Sequence, residues 1–181
     1  QYPIGLQSRF HELPDTLFVT SNLDNYLIID KIKSTKYKKL IDLVDDDGIQ
    51  RGVSPDLKEA FLVDSNQIKK RKLESNHLRK VVTGGRQVKR YTILFDGTYL
   101  IYTDRNTDFK NIPNICGYID QFKDQITCTE VKQKKHSIYS LHRARKENIF
   151  KKGDKIFGVI TEDEIKVAID INLLYKKEDV V

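Results

Sequence analysis

Asp56 and, far downstream, the triplet Glu130-Val131-Lys132 are the residues of this chain whose types match a reacting centre. Two acids can hold a magnesium ion while a lysine assists the attacking water, the chemistry of a metal-dependent nuclease. Such pieces normally face each other across one short hairpin. Here a basic segment, a candidate hairpin and a candidate helix separate them, which argues against a shared site. The remaining chemistry-bearing residues are dispersed. His11, His77, His136 and His142 are scattered, and none stands at the expected ligand spacing from another His, a Cys or an acid. Gly84-Gly85-Arg86 lacks the Lys-Ser/Thr that completes a phosphate-binding loop. No strand runs into a Gly-x-Gly loop for a nucleoside cofactor, and the four prolines offer no Asn-Pro-Pro-Tyr. Asp45-Asp46-Asp47-Gly48 reads as a solvated turn rather than a cation loop. No catalytic residue, metal ligand or cofactor is therefore expected in the chain itself.

Charge is more informative. The formal net charge is +6 and the pI about 9.1, and the excess is concentrated in two segments. Between residues 66 and 92, Lys69, Lys70, Arg71, Lys72, Arg79, Lys80, Arg86, Lys89 and Arg90 stand against Glu74 alone. Between 132 and 155, Lys132, Lys134, Lys135, Arg143, Arg145, Lys146, Lys151, Lys152 and Lys155 stand against Glu147 and Asp154. The stretches 93–131 and 156–181 are acidic on balance. A lone lysine run is ordinarily a solvated face; two runs with almost no compensating acid suit a polyanion, if the fold joins them. Both are interleaved with groups that can address bases: Arg86-Gln87-Val88-Lys89-Arg90-Tyr91 and Tyr139-Ser140-Leu141-His142-Arg143-Ala144-Arg145. Arg grips guanine bidentately, Gln pairs with adenine and Lys neutralises phosphate. Tyr91 and Tyr139 read equally well as core residues of strands.

The elements that must carry these groups are short and mixed. Residues 17–21 and 26–29 read as strands. Tyr37, Leu40, Ile41 and Val44 make one face of a helix over 34–44, with Ser34 or Thr35 as its N-cap. Ala60-Phe-Leu-Val63 is a short apolar run, followed by a polar, helix-compatible stretch to about Val82, where Thr83-Gly84-Gly85 breaks the chain. Residues 87–95 alternate, with Tyr91, Ile93 and Phe95 on one face. Asp96-Gly97 then predicts a hairpin onto Tyr99-Leu-Ile-Tyr102. Asn111 and Pro113 open the clearest helix, striped by Ile115, Ile119, Phe122 and Ile126, with Asp120, Lys123 and Asp124 outward and Cys116 packed beside the stripe. A second hairpin pairs 155–160 with 165–171, with Ile165, Val167, Ile169 and Ile171 as the buried alternation. Without a βαβ rhythm the class is α+β, a single mixed domain of hairpins and short helices.

Composition bounds the rest. The 181 residues, 39% hydrophobic and 32% charged, suit one substantial globular domain. No apolar run reaches the length of a membrane span and no signal peptide opens the chain, so no membrane partner is expected. Cys116 and Cys128 form no disulfide or zinc pattern, which makes a reducing cytoplasm the default. The chain opens at Gln1 and contains no Met, and reads as a fragment.

The order of segments resembles the TaqI-like specificity domain. Its marks are Ile49-Gln-Arg-Gly52 leading to Ala60-Phe-Leu-Val63, and Leu78-Arg-Lys-Val-Val-Thr-Gly84 followed by Val88-Lys-Arg-Tyr91. Tyr99-Leu-Ile-Tyr102, the helix after Pro113, Ile138-Tyr-Ser-Leu141, Arg143-Ala-Arg145, Lys155-Ile156 and Ala168-Ile-Asp170 follow. The resemblance spans roughly residues 47–172. It implies a target recognition domain at 47–181, behind an N-terminal extension at 1–46 that leads in from a catalytic part. That part would be an adenine-N6 DNA methyltransferase domain, in some members of a restriction–modification enzyme, and would hold S-adenosylmethionine. The chain itself would be non-catalytic and would read double-stranded DNA while the target adenine is flipped out. The residues expected at DNA are Lys69, Lys70, Arg71, Lys72, Arg86, Gln87, Lys89, Arg90, His142, Arg143, Arg145, Lys146, Lys151 and Lys152. The competing classes are a magnesium nuclease built on Asp56, Glu130 and Lys132, and a basic RNA-binding or protein-interaction module.

Overall fold

The computed structural model describes residue 28, residues 31–44, 48–151, 155–159 and 166–170, and the backbone of 175–176. Two compact units are present, Gln1–Asp45 and Asp46–Val181.

In the first unit the helix expected over 34–44 does not form. Residues 31–34 are helical, and the Ser34 and Thr35 hydroxyls donate back to the carbonyls of Lys31 (2.8 Å) and Ile32 (2.7 Å). They close a turn instead of opening one, because a hydroxyl that back-bonds to the preceding turn competes with continuation of the ladder. Residues 36–39 are irregular, and a 3-10 turn follows at Leu40–Leu43, where the Lys39 backbone N–H donates to Asp42. Of the strand expected at 26–29 only Ile28 is described, and it is helical. The expected strand at 17–21 and the Asp45–Asp47 turn lie outside the described residues.

The second unit is α+β. Its elements are α1 (Lys58–Phe61), β1 (Leu62–Val63), α2 (Ser65–Arg71), β2 (Leu78–Val82), β3 (Val88–Lys89), β4 (Thr92–Ile93), β5 (Tyr99–Ile101), α3 (Pro113–Ile119), α4 (Thr129–Lys132), α5 (Glu147–Lys151), β6 (Lys155–Gly158), β7 (Val167–Asp170) and β8 (Tyr175–Lys176). A four-stranded sheet runs β1-β5-β2-β8. It is antiparallel between β5 and its neighbours, with Leu100 opposite both Leu62 and Arg79, and parallel between β2 and β8. Helix α2 is shorter than the polar stretch allowed. Asp64 caps it, accepting from the Asn66 and Gln67 N–H groups while Gln67 reaches back to the Asp64 N–H. Lys72, in the left-handed region at φ 51°, ends it. The β-branched pair Val81-Val82, fully buried, then belongs to strand β2.

Pro113 stands at the first turn of α3, as its fixed φ favours. Glu74 supplies the cap from another part of the chain, accepting from the backbone N–H groups of Asn114 (2.8 Å) and Ile115 (2.9 Å). The α-helix stops at Ile119 and a 3-10 turn carries Asp120–Phe122. Ile115, Ile119 and Ile126 are buried and Phe122 packs against them, whereas Asp120, Lys123 and Asp124 are exposed. Cys116 packs beside this stripe. Phe61, Leu100, Ile101, Val53 and Phe150 complete the main core.

The hairpin expected across Asp96-Gly97 is not the one that forms. Gly97 does take a positive φ of 89°, yet β5 pairs with β1 and β2, and β3 pairs with β4 across the two-residue turn Arg90-Tyr91. The Asp-Gly turn hands the chain from one sheet to another. A smaller core of Val82, Val88, Ile93, Phe157 and Ala168 holds β3–β4 against β6–β7. The β6–β7 hairpin forms as expected, but its faces are inverted. Ala168 and Asp170 are buried, while Ile156, Val167 and Ile169 are exposed. Asp170 can face inward because Lys155, directly opposite it, supplies a charge partner at 3.0 Å.

Candidate nucleic-acid interface

The cations of the two basic segments sort into separate local settings. The first is the end of α2. Lys69, Lys70, Arg71 and Lys72 are exposed there, where positive charge complements the partial negative charge of the helix C-terminus. Arg71 donates to Gln121 at 3.0 Å.

The second setting is the β3–β4 hairpin. Arg86 is exposed on the 3-10 turn Gly85–Gln87 that precedes it, and Lys89 is exposed on β3. At the tip, Tyr91 takes φ 71° and is 73% exposed, so its core-strand alternative is overturned. Its backbone N–H donates to Val167 O at 3.2 Å, which fixes the turn against β7. Positive φ at a bulky residue costs on the order of 1–3 kcal/mol and persists only where surroundings enforce it.

Gln87 requires a correction. Its side chain is buried, with Oε1 accepting from the Thr83 N–H (2.6 Å) and hydroxyl (2.9 Å) and Nε2 donating to Leu94 O (3.3 Å). Both ends of the amide are occupied in bridging the Gly84-Gly85 turn to β4, so Gln87 is not poised to meet an adenine.

The third setting is an open groove of about 410 Å³ lined by Ile49, Gln50, Arg51, Arg145 and Lys146. Arg145, at φ 62°, donates through Nε to Gly52 O at 3.3 Å. Its own carbonyl accepts from the Tyr102 hydroxyl at 3.2 Å. An antiparallel bridge between Ser54 and Arg143 clamps the two strands of chain together just outside the groove. Arg51 comes from outside both basic segments and was missed as a candidate. The only trace of it in the sequence was its place in the Ile49–Gly52 motif.

Arg79, Lys151 and Lys155 are held by acids. Glu147 pairs with Arg79 at 2.9 Å and with Lys151 at 2.8 Å, one turn along α5. Lys155 pairs with Asp170. Lys152 lies outside the described residues. Tyr139 is partly buried, donates to Asp120 at 2.7 Å and packs on Phe109, a structural role. That hydrogen bond is the main reason its phenol is pushed up to about 12.

His142 is also corrected. Its Nδ1 faces Cys128 Sγ at 3.2 Å and Glu130 Oε2 at 3.5 Å, and His136 Nε2 faces the same oxygen at 3.5 Å. Two of the histidines are therefore not scattered: Cys128, Glu130, His136 and His142 place one donor atom each within 4.8 Å of all the others. Of the nuclease residues, Asp56 and Glu130 come to this segment, but with other partners. Asp56 accepts from the Cys128 backbone N–H at 3.0 Å, Glu130 faces the two histidines, and Lys132 is exposed.

Among the described residues, no helix is long and apolar enough to cross a membrane. No protein-family model matches the sequence, and no curated protein matches it. Among solved structures, the fold is similar to part of the Type IIL restriction-modification enzyme MmeI, determined in complex with DNA. The TM-score is 0.51 and the identity 13%, over 72% of this chain and 18% of that one. The chain thus spans less than a fifth of the enzyme it matches, and what the two share is an α+β fold.

Proposed function

We propose that this chain is the target recognition domain of a restriction–modification enzyme, binding double-stranded DNA and reading its sequence. The observation that carries this reading is the groove in which Arg51 joins Arg145 and Lys146. Three cations from two distant stretches of sequence, around one open cleft, are a footprint for phosphate. The Arg90-Tyr91 tip supplies planar, hydrogen-bonding groups of the kind that address base edges. The likeness to a segment of an enzyme solved with DNA supports the same assignment. The finer reading is a TaqI-like specificity domain, resting on the ordered motifs from Ile49 to Asp170. In it, the parent is an adenine-N6 DNA methyltransferase, and its cofactor S-adenosylmethionine and its catalytic residues belong to a part upstream of this chain.

The test is fluorescence anisotropy of the chain with labelled duplex DNA across a salt series, with RNA as competitor. Duplex binding that weakens steeply with salt and resists RNA supports the proposal. Salt-independent or undetectable binding, or preference for RNA, overturns it. Incubation with labelled S-adenosylmethionine and DNA should give no methyl transfer, and magnesium should give no cleavage. Either activity would overturn the non-catalytic assignment.

A further inference from the structure

We propose that Cys128, Glu130, His136 and His142 form a four-coordinate site for a divalent transition metal, zinc by its donor set. Zinc takes Cys sulfur at about 2.3 Å, His nitrogen at about 2.0–2.1 Å and carboxylate oxygen at about 2.0–2.2 Å. A tetrahedron with those bond lengths sets its donor atoms about 3.3–3.6 Å apart. The separations found are 3.2 Å from Cys128 Sγ to His142 Nδ1, and 3.5 Å from Glu130 Oε2 to each histidine. These three separations are close to those of a tetrahedral site and all four donor atoms lie within 4.8 Å of one another, and they span the thiolate, imidazole and carboxylate chemistry that tetrahedral zinc accepts.

The hydrogen bonding points the same way. His136 Nδ1 lies 2.9 Å from Ser137 O, so in the neutral ring that nitrogen carries the proton and Nε2 the lone pair. The His136 side chain is 1% exposed, and Nε2 is a buried polar atom with no hydrogen-bond partner. It faces a carboxylate oxygen, which is also an acceptor. In that tautomer two acceptors face one another, the histidine nitrogen buried and the carboxylate partly exposed, an arrangement that a cation between them satisfies. The bond from Nδ1 to a backbone carbonyl is the outer-shell contact that orients metal-bound histidines.

The backbone is arranged to bring the four donors round. Cys128 is the N-cap position of α4 and Glu130 lies within its single turn. Asp56 anchors the Cys128 N–H from outside the segment. Lys134 at φ 55° reverses the chain after α4, returning His136 toward Glu130. The Ser54–Arg143 bridge fixes the chain just after His142. With four protein donors and no position left over, the site is structural rather than hydrolytic. Its role is to cross-link a segment of little regular structure that carries Lys132, Lys134, Lys135 and Arg143. This assignment does not depend on the DNA reading.

The experiment is elemental analysis of the untagged 181-residue chain, followed by cobalt(II) substitution of the metal-stripped protein. One zinc per chain is expected. The cobalt form should show the intense visible bands of a four-coordinate site and a near-ultraviolet thiolate-to-metal band. Cys128→Ser should abolish the thiolate band, while Cys116→Ser, altering the other thiol, should leave it intact. His136→Gln and His142→Gln should each weaken cobalt affinity by at least about tenfold, and a chelator should lower the Tm of the unaltered chain but not of His136→Gln. Zinc content and the cobalt spectrum of the unaltered chain decide for or against the site even if a variant fails to fold. Substoichiometric zinc together with a weak six-coordinate cobalt spectrum overturns the proposal, as does a thiolate band that survives Cys128→Ser or is lost in Cys116→Ser.

Discussion

The Arg90 guanidinium lies over the ring of Tyr91, 5.3 Å from its centroid, and its Nε donates to the phenol oxygen at 3.2 Å. The pair is exposed at the tip of a two-residue turn. Tyr91 occupies the second central position, where positive φ normally selects Gly or Asn. A bulky residue kept in that conformation holds an Arg–aromatic plane away from the protein surface.

From this pair a stability–function contrast follows. Tyr91→Gly removes the backbone strain and should leave stability unchanged or raise it by up to about 1 kcal/mol, while weakening duplex DNA binding. Arg90→Ala should lower DNA affinity by about 1–3 kcal/mol and relax preference at one base pair, if the guanidinium grips guanine. Paired melting curves and binding-site selection check both. Loss of stability in Tyr91→Gly with unchanged DNA preference would make the tip a structural device only.

The groove gives a salt prediction. Arg51→Ala and Lys146→Ala should each weaken all duplex sequences about equally and make the salt slope shallower by about one unit, as expected for loss of one phosphate contact. Lys151→Ala, at a side chain outside the groove that pairs with Glu147 at 2.8 Å, should change the slope less. Equal effects of all three on titration across a salt series would mean that diffuse charge, not the groove, carries the binding.

What was legible in the sequence, and what was not, follows from the range of the forces involved. Helix α3 was readable because Pro113 and the Ile115–Ile119 stripe are local signals for a local structure. The β6–β7 hairpin was readable for the same reason, but its inward face was not. Alternation gives a period of two without saying which half is buried, and Asp170 turns inward only because Lys155 stands opposite. The misassigned Asp96-Gly97 hairpin is similar: a turn signal fixes where the chain bends, while pairing was decided by β1 and β2, which take the two edges of β5. At the candidate sites, Arg51 could not be joined to Arg145 without the Ser54–Arg143 bridge. The Cys128–His142 cluster was hidden because its donors follow no helical or zinc-finger spacing, and a left-handed Lys134 is needed to close it.

Gln87 offers a test of structural against base-reading roles. Its amide satisfies the Thr83 N–H and hydroxyl and ties the Gly-Gly turn to Leu94. Gln87→Ala strands the partly buried Thr83 donors, and should cost about 1–3 kcal/mol of stability. The DNA sequence preference of the folded fraction should not change. Urea denaturation with site selection on the same variant measures both; altered preference at an A·T position would restore Gln87 as a reader.

The last prediction concerns alkaline stability. Tyr139 donates to the Asp120 carboxylate at 2.7 Å, and this bond, with burial and the nearby negative charge, pushes its phenol from the ordinary 10 up to about 12. A folded-state value above the unfolded one means that the native protein holds the proton more tightly. The stabilisation is thus complete below pH 10 and is lost as pH rises from 10 through about 12. Tyr139→Phe removes the donor and should flatten the fall of Tm over that window, while lowering Tm near neutral pH because Asp120 loses its partner. Ultraviolet titration provides a second readout. A tyrosine ionising step at about 12 is expected, and that late step should vanish in Tyr139→Phe. A late step that persists in the variant would assign the raised phenol to another tyrosine, with Tyr118, raised chiefly by its burial, the next to examine.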